Sequence, residues 1–193
     1  MRKVIVSNLI SLDGYAAGPG DDVMALPFDV TFSDYNLELM QAADTLVSGA
    51  TTFRGFVSYW PRVAEDPAQP EVERAIARRH RELEHLVISD SLSEDETGPW
   101  RDKTRIVRRD EARDAIARAK KGEGGPLVAF GSMTTWNDLL AAGLVDELHM
   151  MVGAGVLVDG VPAFSLRPPG PMRLTGARQL GDSNIGLLLY SLG

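Results

Sequence analysis

Hydrophobic and polar positions along this chain switch repeatedly between a short, strand-like pattern and a helical period. Val4 to Ile10 is a mostly apolar, β-branched run bounded by Ser11-Leu12-Asp13-Gly14, which predicts a buried strand closing in a turn. Tyr15 to Asp29 is rich in Gly, Pro and Asp and predicts a long loop, a type often functional in compact domains. Ser33 then reads as the cap of a helix reaching about Ala43, with Tyr35, Leu39 and Met40 as its apolar stripe.

Alternation continues. "TLVSG" predicts a strand, "TTFRGFVSYW" a short helix, and Pro61 to Pro70 an exposed loop. "EVERAIARRHRELEH" is an amphipathic helix with Val72, Ile76 and Leu83 inward, leading to a strand at "HLVISD". "TRIVRR" is a further strand. Asp110 reads as the cap of a helix whose Ala112, Ala115, Ile116 and Ala119 fall at i, i+3, i+4 and i+7. "PLVAFGS" is a strand, and "MTTWNDLLAAG" a helix with Met133, Trp136, Leu139 and Leu140 on one face, ended by Gly143. "DELHMMV" follows as a strand.

Strands alternating with helices imply βαβ units and a mainly parallel sheet with helices on both faces. The ending breaks this rhythm: "MRLTGARQL" and "IGLLLYSL" flank "GDSN" with no helix between, predicting an antiparallel C-terminal hairpin. The expected class is therefore α/β, and the 193 residues suit one domain spanning 1–193.

Charge and composition narrow the partners. Twenty Lys plus Arg against 27 Asp plus Glu gives −7, a field that disfavours nucleic acid and anionic membrane while leaving room for a local phosphate site. With no cysteine there is neither thiol nucleophile nor Cys-ligated metal, which suits a cytoplasmic protein. The first apolar run, about seven residues long, is too short and polar-interrupted for a secretory segment, and nothing approaches the roughly 18 apolar residues of a membrane span.

Two strand-to-helix junctions carry the candidate chemistry. In "LVSGATTF", Gly49 allows close backbone approach and Thr51 and Thr52 supply hydroxyls at a helix start; in "LVAFGSMTTW", Gly131 and Ser132 stand in the same roles. Each junction alone reads equally as a plain turn. A pair in one small domain suits a dinucleotide, because helix starts present free N–H groups to phosphate. The usual phosphate-loop and G-x-G-x-x-G fingerprints are absent, as are H-E-x-x-H and G-x-S-x-G, and His80, His85 and His149 are scattered, so no metal site is expected. Asp13 reads either as a turn residue or as a carboxylate at the end of the first strand, beside a loop that could close over a ring. Phe53, Phe56, Tyr59 and Trp60 form either core packing or a stacking wall for a planar substrate.

With these residues in place, the sequence resembles the dihydrofolate-reductase-like superfamily. More closely, it resembles bacterial proteins related to the reductase domain of the bifunctional riboflavin-biosynthesis deaminase/reductase. The resemblance runs through "SLDGYAA", "LVSGATTFRGFVSYWP", "LVISDSL", "GSMTTWNDLLAAGLVDELHMMV" and "PAF" at 162 to 164, in an order covering nearly the whole chain. It implies a single dihydrofolate-reductase-like, three-layer domain. It further implies NADPH, hydride transfer to a small pteridine- or pyrimidine-like ring, and a homodimer. By position, Ala16 and Ala17 border the nicotinamide. Gly49, Ala50, Thr51 and Thr52 lie on the adenosine-side phosphates, Ser89 lies near the adenine ribose, and Gly131, Ser132, Met133 and Thr134 lie on the pyrophosphate. In the mechanism these residues suggest, the aromatics face the substrate and Asp13 or water completes proton transfer, with Asp34 on the next helix, beside the substrate, as the second candidate.

The chain departs from its relatives in three places. Ala50 stands where they keep an arginine, Asp90 stands where a basic residue is common, and Val158 and Asp159 replace glycines in "GVLVDGVPAF". A 2′-phosphate carries about −1.5 to −2 charges and favours arginine, so losing both cations admits NADH beside NADPH. Arg54, Arg108 and Arg109 are the candidate substitutes. The deaminase signature H-x-E with P-C-x-x-C is missing, so only the reduction is implied. The alternative from a different class is a non-catalytic ligand-binding module of the same fold. A flavin reductase built on the aromatic residues is a third reading.

Overall fold

The computed structural model describes residues 1–193. Its eight-stranded sheet has the order β5-β4-β3-β6-β1-β7-β10-β9. The parallel strands are β1 (Val4–Ile10), β3 (Thr45–Gly49), β4 (Glu84–Ile88), β5 (Thr104–Val107), β6 (Leu127–Ala129) and β7 (Glu147–Val152). Antiparallel β9 (Met172–Gln179) and β10 (Gly186–Leu192) extend it beyond β7, as the helix-free ending predicts.

Helices cover both faces. Alternate residues of β1 separate the two cores: Val4 and Val6 pack with Ala115 and Ile116 of α4 (Ala112–Lys121) and Trp136 and Leu140 of α5 (Met133–Ala141). Ile5 and Leu9 pack with Leu39 and Met40 of α1 (Val30–Ala42) and Ile76 of α3 (Glu71–Glu82). Both faces of the central strands are thus buried, which explains their continuous apolar runs. Each fully buried aliphatic or aromatic side chain here contributes roughly 1.5–3 kcal/mol.

Several local expectations are corrected. The α1 cap is Asp29, which accepts from the N–H groups of Thr31 and Phe32; Ser33 lies inside the helix and donates to Glu73 at 2.6 Å. Helix α2 (Ala50–Val63) runs through Pro61 in its last turn, so the exposed loop begins later than the proline suggested. Asp110 sits in a 3-10 turn ahead of α4 and does not cap it. The Tyr15 to Asp29 segment is partly ordered: β2 (Tyr15–Ala17) pairs with β8 (Val161–Pro162), and Val23–Ala25 is a 3-10 turn capped by Asp22. Residues 94–103, given no element by periodicity, form 3-10 turns entered through a capping box between Ser93 and Glu96.

Candidate functional site

The return of β6 into the sheet creates the site. The chain runs from β1 to β3 and outward to β5, then comes back to insert β6 between β3 and β1. Helices α2 and α5 leave the carboxyl ends of neighbouring strands toward opposite faces, the crevice arrangement that binds ligands in open α/β sheets. Their starts meet. A Cβ on Gly49 would lie 2.7 Å from Thr135 Oγ1, 2.9 Å from Ser132 Oγ and 3.2 Å from Ser132 Cβ. Gly49 has φ −89°, which any residue adopts, so space alone demands glycine there. At Gly131 the reason is the reverse: φ is +136°, and a Cβ would meet Thr52 only at ordinary contact distance. The Gly131–Ser132 peptide is cis.

Neither helix start has a side-chain cap, in contrast to Asp29 on α1. First-turn N–H groups have no partner inside a helix, so two adjoining dipole ends are left available to an anion. Around them the structure gathers Gly49, Ala50, Thr52, Gly131, Ser132 and Met133, with Thr51 and Thr134 exposed on the outer side. Met133 is further fixed by Asn8, whose Nδ2 donates to its sulfur at 3.2 Å. Sequence reasoning missed Thr135, whose hydroxyl packs against Gly49; its only signal was its place one turn into the second junction.

Ser89 organises its own turn. It is buried at the end of β4, and its Oγ accepts from the N–H groups of Ser91 and Leu92, stabilising the turn.

Ala16 and Ala17 are buried on β2, beside the β1 end. Their strand belongs to a rim formed with residues 153–162. Asp13 ties this rim together: it accepts the Ser11 hydroxyl at 2.6 Å, the Leu157 N–H at 3.1 Å and the Val158 N–H at 2.8 Å. The Ser11 hydroxyl first, then the Val158 and Leu157 N–H groups, hold its carboxyl down at about 2. An ionised carboxylate with these donors has no proton to give at neutral pH, so Asp13 is a loop anchor in this arrangement. Asp34 is exposed on α1.

The aromatic run resolves as packing. Phe53, Phe56 and Trp60 lie at i, i+3 and i+7 on α2, and that face turns toward α3 and the 94–103 segment. Phe53, with 0% exposure, packs edge-on to His85 and Trp100; Phe56 and Trp60 pack on His80. Phe53 therefore has no surface to offer a substrate, and Tyr59 is exposed beside Trp60. His149 is also interior, with Nδ1 2.8 Å from the Tyr35 hydroxyl and Nε2 3.1 Å from Glu147.

Beyond α5 a cavity of about 240 Å³ opens at the carboxyl end of β4. Buried Ile88 and Leu139 line it together with Arg109, Arg113, Thr134 and Asp138. Sequence reasoning did not reach Arg113 or Asp138. Their signal was spacing: Arg109 and Arg113 are one helical turn apart, as are Thr134 and Asp138.

Comparison with known proteins agrees with this architecture. The sequence profile of the RibD C-terminal domain matches residues 2–185. Among curated proteins none matches the chain. A riboflavin-biosynthesis-type protein from Shewanella sp. PV-4 is similar in structure, with TM-score 0.68 and 22% identity over 98% of each chain. The Thermotoga maritima diaminohydroxyphosphoribosylaminopyrimidine deaminase/5-amino-6-(5-phosphoribosylamino)uracil reductase gives 0.69 at 12% identity, covering all of this chain and 57% of that one. Dihydrofolate reductase from Enterococcus faecalis, solved with NADP(H), gives 0.56 at 15% identity over 98% of this chain and 95% of that chain. At these identities the solved structures establish the dihydrofolate-reductase-like fold, and the match along nearly the whole sequence places this chain in the RibD C-terminal domain family.

Proposed function

We propose that this protein is an NADPH-dependent reductase that transfers a hydride to a small pyrimidine- or pteridine-like heterocycle. The observation that carries this reading is the meeting of two uncapped helix starts at the strand-order reversal, which Gly49 allows to pack directly against each other. The residues present fit a dinucleotide: uncapped first-turn N–H groups for phosphate and short hydroxyl side chains at Thr52 and Ser132 beside them. The family and the reductases among its structural neighbours support the same chemistry, and the absence of a deaminase signature limits the proposal to reduction.

When bound, the nicotinamide supplies the hydride. The chain's own contribution is binding and orientation, which can lower a barrier by roughly 7–11 kcal/mol when both reactants are held in line. The first turns of α2 and α5 hold phosphate, and the small side chains of Ala16 and Ala17 admit a flat ring against β2. Asp13 holds the rim in place beside the β1 end. With Asp13 ionised and engaged, water delivers the proton. We also propose a homodimer through the β9 edge, where Met172 and Leu174 are exposed on the last strand of the sheet, whose outer side is unpaired.

Titration of NADPH into the protein, followed by the fluorescence of Trp60, Trp100 and Trp136, tests the central reading. Saturable binding in the micromolar range, with NADPH oxidation on adding a pyrimidine or pteridine acceptor, is expected. Absence of binding below millimolar NADPH and NADH overturns it; binding without turnover on any acceptor favours the non-catalytic module. Sedimentation velocity checks the dimer.

A further inference from the structure

We propose that Arg113 selects NADPH by pairing with the 2′-phosphate, the role left open by Ala50 and Asp90. This inference rests on reading the α2–α5 junction as a dinucleotide cradle. Every other candidate cation at this end already has a carboxylate. Arg54 donates to Glu96 at 2.6 Å, and Glu96 is itself locked in the capping box with Ser93. Arg108 and Arg109 flank Asp90 at 3.8 and 3.9 Å, and the Arg109 N–H donates to the same carboxylate. Arg113 also lines the 240 Å³ cavity, and it pairs with no acid.

The cavity lies in the right place for the adenosine end. Thr134 lines it from the first turn of α5, directly after the Gly131–Ser132 junction that would hold the pyrophosphate. Once those two phosphates are placed, the anionic group of NADPH still to be matched is the 2′-phosphate. Asp138, exposed on the same cavity, can accept from the adenine amino group. Arg109, shared with Asp90, adds a second and weaker cation. A guanidinium matches a phosphate through paired N–H donors, a geometry that ammonium lacks.

Calorimetric binding of NADPH, NADH, adenosine 2′,5′-bisphosphate and 5′-AMP to wild type, Arg113→Ala and Arg113→Lys tests the proposal. Wild type is expected to prefer NADPH over NADH. Arg113→Ala is expected to lose about ten- to a hundredfold in affinity for NADPH and for the bisphosphate, with NADH and 5′-AMP unchanged. Arg113→Lys should recover part of the loss. An unchanged NADPH affinity in Arg113→Ala, an equal loss for NADPH and NADH, or a wild type that binds NADH as tightly as NADPH overturns the inference while leaving the dinucleotide cradle intact. Failure of wild type to bind either dinucleotide removes the cradle reading itself.

Discussion

The carboxylate of Asp13 accepts the backbone N–H of Val158 at 2.8 Å, while the carbonyl of Val158 accepts the Tyr15 hydroxyl at 3.2 Å. Between these contacts Val158 is held at φ +68°, a left-handed conformation that a β-branched residue rarely adopts. Its side chain is 77% exposed at the mouth of the candidate site. Asp13→Ala is expected to free residues 153–160, lower the melting temperature and raise KM, with the pH dependence of kcat unchanged. Asp13→Asn, which keeps an acceptor oxygen, should restore part of the KM effect. A general acid would instead lose kcat and one limb of its pH profile, so steady-state kinetics across pH separate the roles. The folded pKa lies below the ordinary aspartate value, so this anchor's contribution is present above about pH 4. It is lost as pH falls toward 2.

Val158 holds a conformation that glycine adopts freely. Val158→Gly is expected to raise stability by about 1 kcal/mol, since relief of the left-handed strain, roughly 1–3 kcal/mol, exceeds the entropy cost of glycine, roughly 0.5–1 kcal/mol. Urea denaturation of the two proteins measures the difference. A decrease would mean that the exposed valine side chain packs usefully on the rim.

Gly49→Ala places a methyl group within 3 Å of the Ser132 and Thr135 side-chain oxygens and 3.2 Å from Ser132 Cβ. The start of α5 must then move. A stability loss of about 1–3 kcal/mol is expected, together with loss of dinucleotide affinity larger than Thr51→Ala produces. Chemical denaturation and the NADPH titration check both parts. An alanine variant binding NADPH as wild type does would separate this contact from the site.

His80 and His85 are stacked and buried with Trp100, at centroid distances of 5.2 and 4.8 Å. The Nδ1 atoms of both histidines have no partner. Burial, with His85 nearby, pushes the His80 ring well below its usual range, and burial lowers His85 against the raising effect of the His80 carbonyl. Both rings stay neutral when folded and take up protons when unfolded, so the unfolded state binds more protons below about pH 6.5. Stability therefore falls on acidification below about pH 6.5, by at most roughly 1.4 kcal/mol per pH unit for each histidine that stays neutral in the fold. Urea midpoints between pH 7.5 and 5 measure the slope. His80→Phe, which keeps an aromatic ring in the stack, should reduce it.

How far the sequence reaches follows from range. The alternation of strands and helices, the C-terminal hairpin and the two glycine-bearing junctions are written in local periodicity and turn chemistry, so they could be read directly. Even the packing role of Phe53, Phe56 and Trp60 was present in their i, i+3, i+7 spacing, because side chains so spaced share one helix face. Caps were less legible. Asp29 and Ser33 are both good capping residues, and only the entry angle of the chain chooses between them.

What the tertiary structure alone decided is long-range. Insertion of β6 between β3 and β1 makes two separate turns into one crevice, and no local pattern encodes strand order. Asp13 becomes an anchor because Leu157, 144 residues away, brings its N–H to the carboxylate. Arg54 is paired with Glu96, 42 residues on, while Arg113 lines a cavity and forms no salt bridge. A side chain's chemistry is set by its type, but whether its charge, proton or hydrogen bond is available depends on partners that only folding brings within reach.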